Sequence, residues 1–198
     1  KKNLRNGNIK EVYDDDYFQS KLTYQEILDK LVAIDTLEAG IEQLNAGEEL
    51  DPQYINRRTI TAAEIRQYRV KGTWYVNKRL GELKYRLLGI APVAPDVYTL
   101  DLPEDEQDLV ELFWVWFPDA RTSLNSSKVF NNRNSSQPIT FDHMLNSRRF
   151  NSLIYKEENV YEDRKIEEYI FEDALKQLLE SERVKSVIRD FEQDLWNN

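Results

Sequence analysis

The sequence predicts an α+β fold: an antiparallel β-sheet, built on a long hairpin and a central aromatic strand, packed against C-terminal helices. Three observations carry that prediction. Tyr68, Val70, Gly72, Trp74 and Val76 alternate with Arg69, Lys71, Thr73 and Tyr75, and after a turn through Gly81 the alternation resumes at Leu83, Tyr85, Leu87 and Gly89. From 109 to 117 every position except Glu111 is apolar or aromatic, as in a strand covered on both faces. From 165 onward, apolar residues recur at helical spacing with no Gly or Pro: Ile166, Tyr169, Ile170, Ala174 and Leu178, then Val184, Val187, Ile188, Phe191 and Leu195.

The remaining elements follow in order. Residues 1–8 are polar and predicted to be disordered, and 9–13 form a short strand. Thr23 and Glu26 make a capping box that starts a helix with Ile27, Leu28 and Leu31 on one face. Residues 40–54 read as a connector broken by Gly47 and Pro52. Pro92 and Pro95 end the hairpin. A short helix is expected over 118–124, a Ser- and Asn-rich loop over 125–137, a helix capped by Thr140 and running through Met144 and Leu145, and a strand over 150–155. The C-terminal pattern fits one long helix or two joined at a slight break. Residues 9–198 are read as a single domain.

The formal net charge of −9 argues against general nucleic-acid binding and against adsorption to an anionic membrane. The charge is uneven. Basic residues crowd 57–86, and acidic ones crowd 14–16, 101–108 and 157–168. Opposite regions on one subunit suit a head-to-tail contact between copies, although scattered solvation is the commoner meaning of such runs. With no Cys, disulfides, Cys–zinc sites and thiol catalysis are excluded. No apolar run is long enough to predict a membrane-spanning helix. The sequence opens on the polar Lys1, and no secretory leader is visible in it.

Candidate chemistry is sparse. His143 is the only histidine, and a general base needs a nucleophile and an orienting group beside it. Asp142 is only its sequence neighbour, and one His without Cys makes a poor zinc site. Asp14, Asp15 and Asp16 lack the spacing of a calcium loop and read as a solvated acidic turn. No phosphate-cradling Gly-rich loop is present, and no carboxylate pair stands out. No catalytic, cofactor or metal residue is assigned. The candidate partner-binding residues are Tyr75, Trp116, Phe117 and Trp196 as aromatic anchors, with Arg148 and Arg149 as donors to an acidic partner. Core packing is the favoured reading for Trp74 and Trp114.

Six stretches carry a resemblance: VYDDDYFQSKLTYQEI (12–27), IRQYRVKGTWYVNKR (65–79), LKYRLLGIAPVAPDVY (83–98), ELFWVWFPDAR (111–121), FDHMLNSRRFNSLIYKEEN (141–159) and VIRDFEQDLWN (187–197). Together the chain resembles the GldN/PorN family, the N subunit of the gliding-motility and type IX secretion machinery. The resemblance implies a structural, non-catalytic subunit without a cofactor. It implies export to the periplasm of Bacteroidetes-type bacteria and association with the outer membrane through a K-type lipoprotein, with which copies of the subunit form a ring. It also implies contact with the periplasmic part of an M-type subunit. Family members carry a leader and a further N-terminal region ahead of the part seen here. Asp35-Thr36-Leu37 matches the acidic–hydroxyl–aliphatic pattern such bacteria use for O-glycosylation. Two readings from other classes stand beside this one. A periplasmic carbohydrate- or peptide-processing enzyme would need a concave pocket with two convergent carboxylates of perturbed pKa. A cargo-binding adaptor would bind secreted substrates without the K-type lipoprotein.

Overall fold

The computed structural model describes residues 9, 11–131, 137–160, 163–171 and 173–196. The disorder expected for 1–8 lies outside these residues, as does the middle of the Ser- and Asn-rich loop. The architecture is mixed α+β, with antiparallel sheets and C-terminal helices. The chain divides into two compact units: Lys1–Gly72 with Leu87–Asp142, and Thr73–Arg86 with His143–Asn198.

The first unit opens with β1 (Val12–Tyr13) and α1 (Tyr24–Leu31). The capping box forms as the sequence predicts: the Thr23 N–H donates to Glu26 Oε2 at 2.6 Å, and the Glu26 N–H donates to Thr23 Oγ1 at 3.3 Å. Ile27 and Leu31, one turn apart, are the buried residues of α1. Next come β2 (Val32–Thr36), α2 (Glu38–Asn45), a 3-10 turn at Pro52–Tyr54, and β3 (Ile55–Thr59), which pairs antiparallel with β2. The connector expected from residue 40 onward is thus half helix. Gly40 does not break α2, because that turn lies against the chain: a Cβ there would sit 2.7 Å from Leu50 Cδ1 and 2.8 Å from Tyr54 Cβ. Close packing, rather than conformational freedom, explains this glycine.

β4 (Gln67–Asn77) and β5 (Glu82–Pro95) form the predicted hairpin. The main sheet runs β1-β7-β5-β4, where β7 is Trp114–Trp116, and β6 (Leu109–Glu111) also pairs with β5. The single strand expected over 109–117 is therefore two strands, with Phe117 already in α3 (Phe117–Ser126). The register shows why. Ile90 pairs with Val115 and Val93 with Glu111, so two residues of β5 lie opposite three of the other strand, which is a β-bulge. Pro92 has no N–H to give to the ladder, and its carbonyl accepts from the Leu112 N–H at 3.1 Å. The bulge lets the adjacent Leu112 and Phe113 join the same core cluster, which a regular strand would forbid. β8 (Lys128–Val129) and β9 (Ile139–Thr140) close the unit as a two-stranded pair.

The core of this unit has two parts. Val12, Ile27, Leu31, Ala33, Ile60, Ala94, Val97 and Leu112 form one cluster. Tyr13, Ala91 and Trp114 form the other, with Phe18 and Trp116 against it.

The second unit holds the hairpin tip, residues 143–160, α5 (Ile166–Tyr169) and α6 (Ala174–Trp196); α4 (Phe141–Asn146) runs from the first unit into it. At the tip, the N–H groups of Leu80 and Gly81 both donate to the Asn77 carbonyl, and Gly81 takes the left-handed conformation (φ 63°) that the turn requires. The strand expected over 150–155 does not form. The Ile154 N–H instead donates to the buried Ser181 Oγ of α6 at 2.8 Å, so a side chain takes the place of a partner strand.

The C-terminal pattern resolves into two helices rather than one. Asp173 starts the second: its carboxylate accepts from the Lys176 N–H at 3.0 Å. The apolar stripe is buried only along a narrow seam. Ile166 and Val184 are buried, whereas Leu175, Leu179, Val187 and Phe191 are exposed.

Candidate partner-binding surfaces

The sequence-predicted anchors fall into three environments. Phe117 is 3% exposed and packs as core at the start of α3. Trp116 is half-buried and takes the edge of Phe18 at 4.8 Å. Phe18 is the centre of this cluster, also meeting Tyr13 at 5.5 Å and Trp114 at 6.2 Å, edge to face each time. It sits at φ 59°, a costly conformation for a bulky residue, and its ring lies over Gly89, where a Cβ would come within 2.3 Å of Phe18 Cζ. Trp196 ends α6, and its side chain lies outside those described.

Tyr75 and Arg148 belong to the second unit, where Tyr75 and the neighbouring Trp74 point to opposite faces of β4. Trp74 and Tyr85 lie 5.2 Å apart on the hairpin, with the Arg148 guanidinium 4.9 Å from the first ring and 5.8 Å from the second. Arg148 follows α4 at φ 53°, in a Schellman-type cap: its N–H donates to the Leu145 carbonyl, and the Arg149 N–H donates to the Met144 carbonyl. Glycine is the usual residue at that position. An arginine there accepts backbone strain and gains the stack on Trp74 and Tyr85. Burial pushes the Tyr85 phenol pKa up, and the Arg148 charge opposes the shift. On Tyr75, the Arg86 guanidinium lies 5.5 Å from the ring. Arg149 is exposed.

The acidic turn is tied internally. Asp15 accepts from the N–H groups of Tyr17 at 2.8 Å, Gln19 at 3.3 Å and Ser20 at 3.1 Å. Burial raises its pKa, and these amides outweigh burial, leaving Asp15 below the ordinary range. Asp14 pairs with Lys30, and Asp16 lies 3.4 Å from the Lys71 Nζ. Asp142 receives two bonds from Arg121, at 2.8 and 3.1 Å. In the Asp35-Thr36-Leu37 pattern, Asp35 pairs with Arg58 and the half-buried Thr36 pairs with Ile55 across β2 and β3.

Among the described residues, no group of three or more acidic or His side chains is placed to hold a metal ion. The described carboxylates with displaced pKa values (Glu11, Asp15, Glu26, Glu64, Asp173 and Glu180) all lie below their ordinary range. A general acid working near neutrality needs the opposite displacement. No described helix is long and apolar enough to cross a membrane.

Sequence reasoning missed two features. One is Tyr85 as the second ring under Arg148, which no local pattern encodes. The other is the exposed stripe on α2, whose signal is the spacing of Leu37, Ile41 and Leu44, hidden by the reading of 40–54 as a connector.

What the described surfaces offer is contact chemistry, namely stacked rings, guanidinium groups and uncovered apolar residues on a mixed α+β chain. The family model for "Gliding motility associated protein GldN" matches residues 1–197. The chain belongs to the GldN family and is a gliding-motility-associated protein, and that family is not a known enzyme family. Among curated proteins, none matches the chain.

Proposed function

We propose that the chain is a structural subunit of the periplasmic, outer-membrane-associated ring of the type IX secretion and gliding-motility machinery. In this reading it docks on a K-type outer-membrane lipoprotein, meets the periplasmic part of an M-type subunit and contacts copies of itself. The observation that carries the reading is the family match over nearly the whole chain. The exposed rings, arginines and apolar residues support it, because such groups dominate protein interfaces.

Co-purification with the soluble part of the K-type lipoprotein, read by size exclusion with light scattering, tests this function. A stable complex is expected. Arg149→Glu should weaken it if that exposed arginine faces an acidic partner. Arg148→Glu is the poorer probe, because it also dismantles the stack on Trp74 and Tyr85. If neither this chain nor one extended at its N-terminus binds the lipoprotein, the assembly role is wrong and the adaptor and enzyme readings return.

A further inference from the structure

We propose that α2 of one copy receives the hairpin tip of the next, in a head-to-tail contact between chains. This deepens the assembly reading and rests on it, but it is separable from docking on the lipoprotein.

The α2 surface is apolar with an acidic flank. Leu37, Ile41 and Leu44 follow one another at i, i+4 and i+7, and each is about half exposed. Their helix is held along the neighbouring face, where Gly40 packs against Leu50 and Tyr54 and the Gln43 side chain accepts from the Asp51 N–H at 3.2 Å. The stripe borders that contact and is left about half exposed. Glu38 and Glu42 lie together on its flank, and no basic residue occurs between 37 and 51.

The hairpin tip has the reciprocal composition. Residues 73–86 carry Lys78, Arg79, Lys84 and Arg86 against the single Glu82, in a chain whose net charge is −9. Leu80 stands at the apex, 57% exposed, with Val76 exposed behind it. Two hydrogen bonds to the Asn77 carbonyl and the left-handed Gly81 fix the turn, so the knob is formed before any contact is made. Among the described residues, no hydrogen bond or ion pair engages the side chains of Glu38, Glu42, Lys78 or Arg79.

Both halves of one contact are therefore present on the same chain: an apolar stripe with an acidic flank and an apolar knob with a basic one. Complementary charge orients such an encounter, while apolar burial holds it. Because the two surfaces differ, the contact is heterologous. Each copy keeps one of each surface free for the next, and repetition leads to a ring or an open filament rather than a closed dimer. A small knob on a short helix buries less than a stable dimer interface does, so the contact is weak between two free chains and gains strength where neighbours are held together.

The absence of cysteine from the sequence makes the test clean. The Ile41→Cys and Leu80→Cys variants are mixed in equal amounts and oxidised, and like and unlike disulfide products are separated. The unlike product should dominate. It should fall at least about tenfold when Glu38→Lys and Glu42→Lys are added to the Ile41→Cys chain, and return when Lys78→Glu and Arg79→Glu are added to the Leu80→Cys chain. All substituted positions are exposed, and circular dichroism checks that each variant is folded. Like products matching the unlike one, no product at all, or a yield indifferent to charge reversal would each overturn the contact. Co-purification of the same variants with the K-type lipoprotein separates the outcomes: binding without cross-linking rejects only this contact, and loss of both rejects the assembly reading as well.

Discussion

Trp114 and Trp74 show how one residue type takes two roles in this chain. Trp114 is 1% exposed and sits in a closed set of rings with Phe18 and Tyr13, its indole N–H donating to Glu111 Oε2 at 2.5 Å. Among the described residues, Trp74 has the ring of Tyr85 beside it and the cation of the exposed Arg148 over it. The first arrangement satisfies every polar atom of the ring from within and leaves nothing to offer a partner. The second leaves a ring, a guanidinium and the adjacent Tyr75 within reach of solvent. Trp114 lies in the wholly apolar β7, and Trp74 in β4, where apolar and polar residues alternate. Only the second stands on the hairpin where no further strand of the described chain covers it.

Breaking the closed set should have the largest effect. Trp114→Ala removes a buried ring and leaves the Glu111 carboxylate without that donor, and should destabilise the chain by about 3–5 kcal/mol. Urea denaturation measures the loss. Gly89→Ala attacks the same cluster from below. A methyl group 2.3 Å from Phe18 Cζ forces the ring to move, and overpacking of this kind costs about 1–3 kcal/mol. If Gly89→Ala leaves the denaturation midpoint unchanged, Phe18 does not lie over that glycine in solution.

A smaller change sharpens the comparison through pH. The Tyr13 hydroxyl donates to Glu11 Oε2 at 2.5 Å, and this bond, reinforced by burial, raises the phenol pKa from 10.0 to about 12. The folded value lies above the unfolded one. The stabilisation is therefore complete below pH 10 and is lost as pH rises from 10 to about 12, because the unfolded chain releases its proton first. Tyr13→Phe should cost about 0.5–1.5 kcal/mol near neutrality, the net value of one hydrogen bond. It should also make the alkaline decline in stability shallower over that window. Some slope should remain, since the Tyr85 and Tyr169 phenols are raised as well. A decline identical to that of the unaltered chain would mean the bond to Glu11 is absent in solution.

The closed region was the more legible of the two in the sequence. Strand alternation announced the hairpin, the Thr23–Glu26 pair announced α1, and the run at 109–117 announced a buried aromatic strand. What stayed hidden there was the bulge, because it arises from the register against Pro92 in another strand rather than from the run itself. The open region was less legible. Ser181 looks like an ordinary polar residue of an amphipathic helix, yet it takes the hydrogen bond that replaces the strand expected over 150–155. The apolar stripe of α6 reads as core, yet Leu175, Leu179 and Phe191 are exposed. Helical spacing reports which residues share a face, and it is silent on whether anything in the same chain covers that face. The sequence marks Arg148 as a cation for a partner, and its two rings come from the hairpin, more than sixty residues away in the chain.

The Arg148 stack tests whether the open region is built or incidental, and its expected energy is the smallest. A non-glycine residue in the left-handed cap position carries strain of about 1–2 kcal/mol, and a cation over an exposed ring returns about 0.5–1 kcal/mol. Arg148→Gly relieves the strain and loses the stack, so its net effect should lie near zero. Arg148→Ala keeps the strain and loses the stack, so it should be less stable than both. A double-mutant cycle with Trp74→Ala isolates the stack itself, and a coupling of about 0.5–1 kcal/mol between positions 74 and 148 is expected. Additive single effects would mean that the guanidinium is not seated on the ring in solution. Arg148 would then be as free as Arg149 to meet a partner, and the two arginines would have to be treated as one basic pair.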